Sequence, residues 1–141
     1  MTKPLGCLAL DVDGTITDSP LEMPPAVANR LNELGRSGWL LMFLTGRTAS
    51  LVQRPLEAIH VPYVLAAQQG SILLRMPEMR VLERLQLPKD LVAELDDRAV
   101  AMGLATVVYG GWEWKDTAWT RPASLRDEHL AHVARLESFG T

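Results

Sequence analysis

A single cysteine, Cys7, stands among 141 residues and cannot form an internal disulfide, so nothing asks for an oxidising compartment. Long apolar runs are missing as well. The longest, residues 39–44, falls far short of the ~18 residues that span a bilayer. The N-terminal apolar stretch, residues 5–10, runs straight into Asp11, too short and too soon charged for a signal peptide. These absences lead to the expectation of a cytoplasmic protein with no membrane partner. An excess of basic charge is lacking too. Fourteen Lys plus Arg against seventeen Asp plus Glu give a net charge of −3, which argues against a nucleic-acid partner, since such a protein needs a basic face. No internal repeat and no Ser/Gly linker run occurs. Apolar residues at 48% and charged residues at 22% match ordinary globular chains, which argues against disorder. At ~100–200 residues per domain, the length suits one domain or one domain with a modest insertion.

The first half alternates short apolar runs with amphipathic stretches, the pattern of an α/β sheet with crossover helices. Residues 5–10 read as a buried parallel strand ending at Asp11. Pro24 and Pro25 open a helix with Val27, Leu31 and Leu34 on one face and Gly38 as terminator. Residues 39–44 give a second buried strand, closed by Thr45, Gly46 and Arg47. A helix is expected from about residue 48 to 58, shortened or kinked by Pro55. A third strand covers 63–67. Beyond Gly70 the texture changes. Strands over 71–75 and 80–87 pair through residues 76–79. A helix then runs from Pro88 to near Gly103 with Leu91, Leu95 and Met102 on one side, and Asp96-Asp97 on its solvated face. Strands over 105–109 and 114–120 flank Gly110-Gly111, and residues 125–136 are helical. The expected organisation is a core segment over residues 1–80 and a segment of different architecture over 81–141.

The sharpest feature is Asp11-Val12-Asp13-Gly14-Thr15 at the end of the first strand. Side chains two apart on an extended chain share a side, ~6–7 Å apart. Open α/β sheets place their ligands at the carboxyl ends of the strands. Two carboxylates facing one site repel, and a divalent cation relieves this. Magnesium suits the task, because it takes a few carboxylates, keeps waters and holds phosphate oxygens. An aspartate beside it can attack phosphorus. Gly14 lets the backbone turn sharply beneath the phosphate, and the amides after the strand can donate to it. A calcium loop is excluded, because Ile16 occupies the position that demands glycine and a strand precedes in place of a helix. Leu44-Thr45-Gly46-Arg47 ends the second strand, where a hydroxyl and amides can hold a phosphoryl oxygen.

Asp11-Val12-Asp13-Gly14-Thr15 resembles the first signature of the haloacid-dehalogenase-like phosphatases, and Leu44-Thr45-Gly46-Arg47 resembles their second. Gln69-Gly70-Ser71-Ile72-Leu73 stands where Cof-type sugar phosphatases often show Asn-Gly-Ala. The resemblance implies a partial Rossmann-like parallel-sheet core followed by the start of an α+β cap. It implies magnesium-dependent hydrolysis of a small phosphorylated metabolite, with Asp11 as nucleophile and Asp13 as acid/base. Magnesium would be held by Asp11 and by Asp13, the latter through its carbonyl, and the phosphate by Thr45, Gly46 and Gly14. Arg47 receives no role from the resemblance. The family's third motif, a lysine, and its fourth, an acidic cluster, are not found after a core strand, so the magnesium site is expected to be incomplete here. The chain is expected to stop partway through the cap. Three readings follow: an active phosphatase, a catalytically incomplete remnant serving as a binding module, or one fragment of a longer or split enzyme. The last two go with a homo-oligomer or a complementing chain.

Other candidates read as structural. Trp112, Trp114 and Trp119 suit a small core in the second segment better than a sugar-binding surface. His60, His129 and His132 lack metal-ligand spacing. Cys7 reads as a small buried residue.

Overall fold

The computed structural model describes residues 3–19, 22–110 and 117–121. They fall into two compact units, residues 1–85 and residues 86–141. The first unit is an α/β fold. Its elements in chain order are β1 (Gly6–Asp11), α1 (Pro25–Arg36), β2 (Trp39–Leu44), α2 (Ala49–Leu56), β3 (Tyr63–Ala67), β4 (Ile72–Met76) and β5 (Arg80–Arg84). One five-stranded sheet runs in the order β1-β2-β3-β4-β5. β1, β2 and β3 are parallel, because α1 and α2 carry the chain back to the same end of the sheet each time. Only four residues, the 3-10 turn Gln68–Gly70 and Ser71, separate β3 from β4. That is too short for a crossover, so β4 and then β5 return antiparallel. β5 reaches Arg84, which carries the sheet past residue 80.

The core lies around β2, β3 and β4. Leu41, Phe43, Leu65, Ile72 and Leu74 are buried, as are Leu31 on α1 and Val52 and Leu56 on α2. The ring of Tyr63 meets Phe43 edge-on, with centroids 5.1 Å apart. Asn32, buried on α1, donates through Nδ2 to the Ala58 carbonyl at 2.8 Å and accepts from the His60 amide at 2.7 Å. One side chain thereby pins α1 to the chain entering β3. Pro55 falls in the last turn of α2, which ends at Leu56.

The expectation of a buried first strand is corrected. β1 is at the sheet edge, with Gly6, Leu8 and Leu10 half-buried and Cys7, Ala9 and Asp11 exposed. Its apolar sequence suits an interior strand, whereas among the described residues β2 is its sole neighbour. Cys7 is correspondingly an exposed thiol rather than a core residue.

The second unit holds α3 (Lys89–Ala101) and a hairpin of β6 (Val108–Gly110) and β7 (Thr117–Trp119). Here a second expectation is corrected. Asp96 is 2% exposed, while Leu91, Leu95 and Met102 face solvent. The reason is polar pairing. Asp96 accepts a hydrogen bond from the Thr106 hydroxyl and pairs with Arg121 at 2.5 Å, and Arg121 also reaches Asp97 at 2.7 Å. The Thr120 hydroxyl closes the cluster by donating to the Thr106 carbonyl at 2.7 Å. The helix expected over residues 125–136 lies outside the described residues, as do Trp112, Trp114, His129 and His132.

Candidate active site

The register of β1 on β2 builds the site. Asp11 stands opposite Leu44 as the last strand pair, and the Val12 amide adds one more rung to the Leu44 carbonyl at 3.2 Å. Thr45, one residue past this pair, and Asp13, two past it, lie within reach of each other. The Thr45 hydroxyl donates to Asp13 Oδ2 at 3.2 Å, and the Arg47 guanidinium contacts Asp13 Oδ1. Residues separated by 32 positions in the chain are thus joined in one cluster. Thr45 is buried, the Arg47 side chain is 19% exposed, and the Asp13 side chain is 46% exposed. Asp11, open to solvent, accepts from the Thr15 hydroxyl at 2.9 Å through Oδ2.

The chain beyond β3 fixes the loop that carries Thr45 and Arg47. The Gln68 amide donates to the Arg47 carbonyl at 2.8 Å and the Gln69 amide to the Thr45 carbonyl at 3.2 Å. Thr45 in turn donates its amide to the Ala66 carbonyl at 3.0 Å. Gln68 and Gln69 hold these positions at φ 51° and 58°, left-handed values that side-chain-bearing residues seldom adopt outside constrained sites. Gly46 lets the end of the Gln69 side chain come close. A Cβ on it would lie 2.4 Å from Gln69 Nε2.

The turn after β1 is wound around one carbonyl. Val12 accepts the amides of Thr15, Ile16 and Thr17 at 3.4, 3.1 and 3.2 Å and the Thr17 hydroxyl at 3.0 Å. Gly14, at φ +75°, donates its amide to the Thr17 carbonyl at 3.2 Å. The four amides from Gly14 to Thr17, expected to face a phosphate, are thereby engaged within the turn.

The carboxylates suit a hard divalent ion of low protein-ligand number. Among the described residues no three His, Cys, Asp or Glu side chains converge as a metal cage. Magnesium needs no such cage, since one or two carboxylates suffice when waters and substrate oxygens complete its shell. Asp11 presents a carboxylate whose described hydrogen bond uses Oδ2. Asp13 has both side-chain oxygens engaged, which leaves its backbone carbonyl as its contribution. His60 is exposed, and its amide donates to Asn32 Oδ1.

Of the residues named from the sequence, Asp13 and Thr45 meet directly after the ends of parallel strands, whereas Asp11 is bonded within its own turn, to Thr15. What the sequence did not assign is Arg47, whose reach to Asp13 no spacing rule encodes, and the paired Gln68-Gln69 turn.

An α/β sheet thus carries carboxylates, a hydroxyl and a guanidinium beyond the ends of two parallel strands. The chain belongs to the haloacid dehalogenase-like hydrolase family, whose model matches residues 8–132. No curated protein matches it. Among solved structures it is similar to a phosphatase of the haloalkanoate (HAD) enzyme superfamily from Bacteroides thetaiotaomicron. That pair shares 20% identity and a TM-score of 0.73, covering 95% of this chain and 48% of that one. A haloacid dehalogenase-like hydrolase from B. subtilis gives 19% identity and a TM-score of 0.69, covering 90% of this chain and 42% of that one. A HAD subclass IIB sugar phosphatase gives 15% and 0.62, covering 80% and 43%. The chain therefore spans less than half the length of these solved relatives.

Proposed function

We propose that this chain carries the nucleophile half of a magnesium-dependent phosphomonoester hydrolase acting on small phosphorylated metabolites. Sugar phosphates are the first class to try, because a solved relative described as a sugar phosphatase shares the fold. The observation that carries the reading is the Thr45–Asp13 hydrogen bond at 3.2 Å, which unites the two signature segments at one strand end.

In the proposed reaction an Asp11 oxygen attacks phosphorus and forms an aspartyl-phosphate as the ester oxygen departs. Asp13 gives that oxygen a proton, then takes one from the water that hydrolyses the acyl phosphate and restores Asp11. Thr45 and Arg47 hold the Asp13 carboxylate in direction for both transfers. Magnesium, held by the Asp11 carboxylate and the Asp13 carbonyl, would supply charge neutralisation for the transferring group. Thr45, Gly46 and Gly14 are the proposed phosphate-binding positions, with Gly46 and Gly14 keeping the backbone clear of side chains. The lysine and second acidic cluster that the family resemblance implies are proposed to come from further polypeptide, in the same chain or in a partner.

Phosphate release from a generic aryl phosphate, with and without magnesium, tests this. Magnesium-dependent turnover by the chain completed with the polypeptide that supplies the lysine and second acidic cluster is expected to vanish in Asp11→Asn, which keeps the side chain's shape and removes its nucleophilic charge. Measurable turnover that is equal in wild type and Asp11→Asn would sink the proposal.

A further inference from the structure

We propose that Arg47 is an oxyanion ligand of the candidate site, the cation that meets a phosphate group beside Thr45; this deepens the phosphatase reading and rests on it. The end of β1 carries two carboxylates, and a phosphate dianion brought against them meets like charge. Donors that commonly offset such repulsion are the amides that follow a strand. Here the amides of Thr15, Ile16 and Thr17 are drawn onto the Val12 carbonyl and that of Gly14 onto the Thr17 carbonyl. With these four amides turned inward, donors on the β2 side add to what an anion at this end of the sheet can meet.

Arg47 is the positive group on that side. Among the described residues it is the cation that touches either carboxylate, through Asp13 Oδ1. Its main chain is fixed at both ends: the amide donates to Thr45 Oγ1 at 3.1 Å, and the carbonyl accepts from Gln68 at 2.8 Å. The side chain thus starts from a set position beside the hydroxyl. Asp13 has a second anchor in Thr45, 3.2 Å away, and keeps its direction when the guanidinium shares its donors with an incoming oxyanion. A planar guanidinium offers paired N–H groups that match phosphate oxygens, which an ammonium cannot do. Charge arithmetic agrees. Asp11, Asp13 and Arg47 sum to one negative charge, and a divalent cation turns that into one positive charge, the sign that draws in a dianion.

Equilibrium binding of inorganic phosphate to the 141-residue chain in magnesium buffer reads this without turnover. Arg47→Gln is expected to weaken binding at least about tenfold. Arg54→Gln, which removes an exposed positive charge from α2, is expected to change it by less than about twofold. Where circular dichroism shows that Arg47→Gln has not folded, Arg47→Lys replaces it, with an expected loss of about threefold from the missing planar fork. Unchanged affinity in the folded Arg47 variant overturns the proposal. An equal loss in Arg54→Gln does so as well, as does the lack of saturable phosphate binding by wild type. Asp11→Asn separates the two readings. Phosphate binding that persists in Asp11→Asn and depends on Arg47 supports the ligand role, and turnover unaffected by Asp11→Asn defeats only the enzyme reading.

Discussion

At the scale of single residues, burial decides which polar groups matter. Tyr63 shows this outside the candidate site. Its phenol is buried against Phe43, and burial pushes its pKa up to about 12 from 10.0. The folded chain then holds the phenolic proton more tightly than the unfolded chain does. Stability from this group is complete below pH 10 and is lost as pH rises from 10 towards 12, by up to about 3 kcal/mol. Urea midpoints measured across that range are expected to fall less steeply for Tyr63→Phe than for wild type. The same scale shows how much of the site could be read in advance. Asp11, Asp13 and Thr45 were legible because they end apolar runs, and the ends of parallel strands are where side chains of different strands converge. Arg47 was not, because the direction taken by a long flexible side chain is set by its partners and leaves no trace in spacing. Asp96 misled for a related reason: an acid in mid-helix reads as solvated until the distant Thr106 and Arg121 are seen to cover it.

Elements follow from pattern where an apolar run is cleanly bounded. β2 and β3 run over the residues expected, Trp39–Leu44 and Tyr63–Ala67, since each is an apolar run bounded by strong breakers. β4 and β5 were legible as a pair, whereas their place in the main sheet depended on the short turn at Gln68–Gly70. α3 was found, with Asp97 exposed as expected but Asp96 buried and Leu91, Leu95 and Met102 exposed, because three leucine and methionine positions outweighed a single aspartate in the periodicity. Helix α1 owes its seating to Asn32 as well as to Ala28 and Leu31. Asn32→Leu would leave the Ala58 carbonyl and the His60 amide without their partner in a partly buried place. A loss of about 1–3 kcal/mol in urea-unfolding free energy is expected, with the far-ultraviolet spectrum retained.

For the whole molecule the informative feature is the edge at β1. Leu5 is 73% exposed, Cys7 and Ala9 are open, and one side of the strand's backbone has no neighbour among the described residues. An apolar, uncharged edge of this kind is a template for pairing. Sedimentation velocity is expected to show association that grows with concentration, and Ala9→Lys, which places a charge on that edge, is expected to reduce it. An unchanged distribution in Ala9→Lys would move the association surface elsewhere. No helix among the described residues is long and apolar enough to cross a membrane. The pairing of Asp11 with Leu44 has a different kind of consequence. The distance between the two halves of the polar cluster is the spacing of adjacent strands, about 4.8 Å, and is written in main-chain hydrogen bonds. The excursion through α1 contributes nothing to it beyond returning the chain. Insertions, deletions and wholesale rewording of that excursion are then neutral to the cluster, so the same few side chains can stay in place while almost every letter between them drifts.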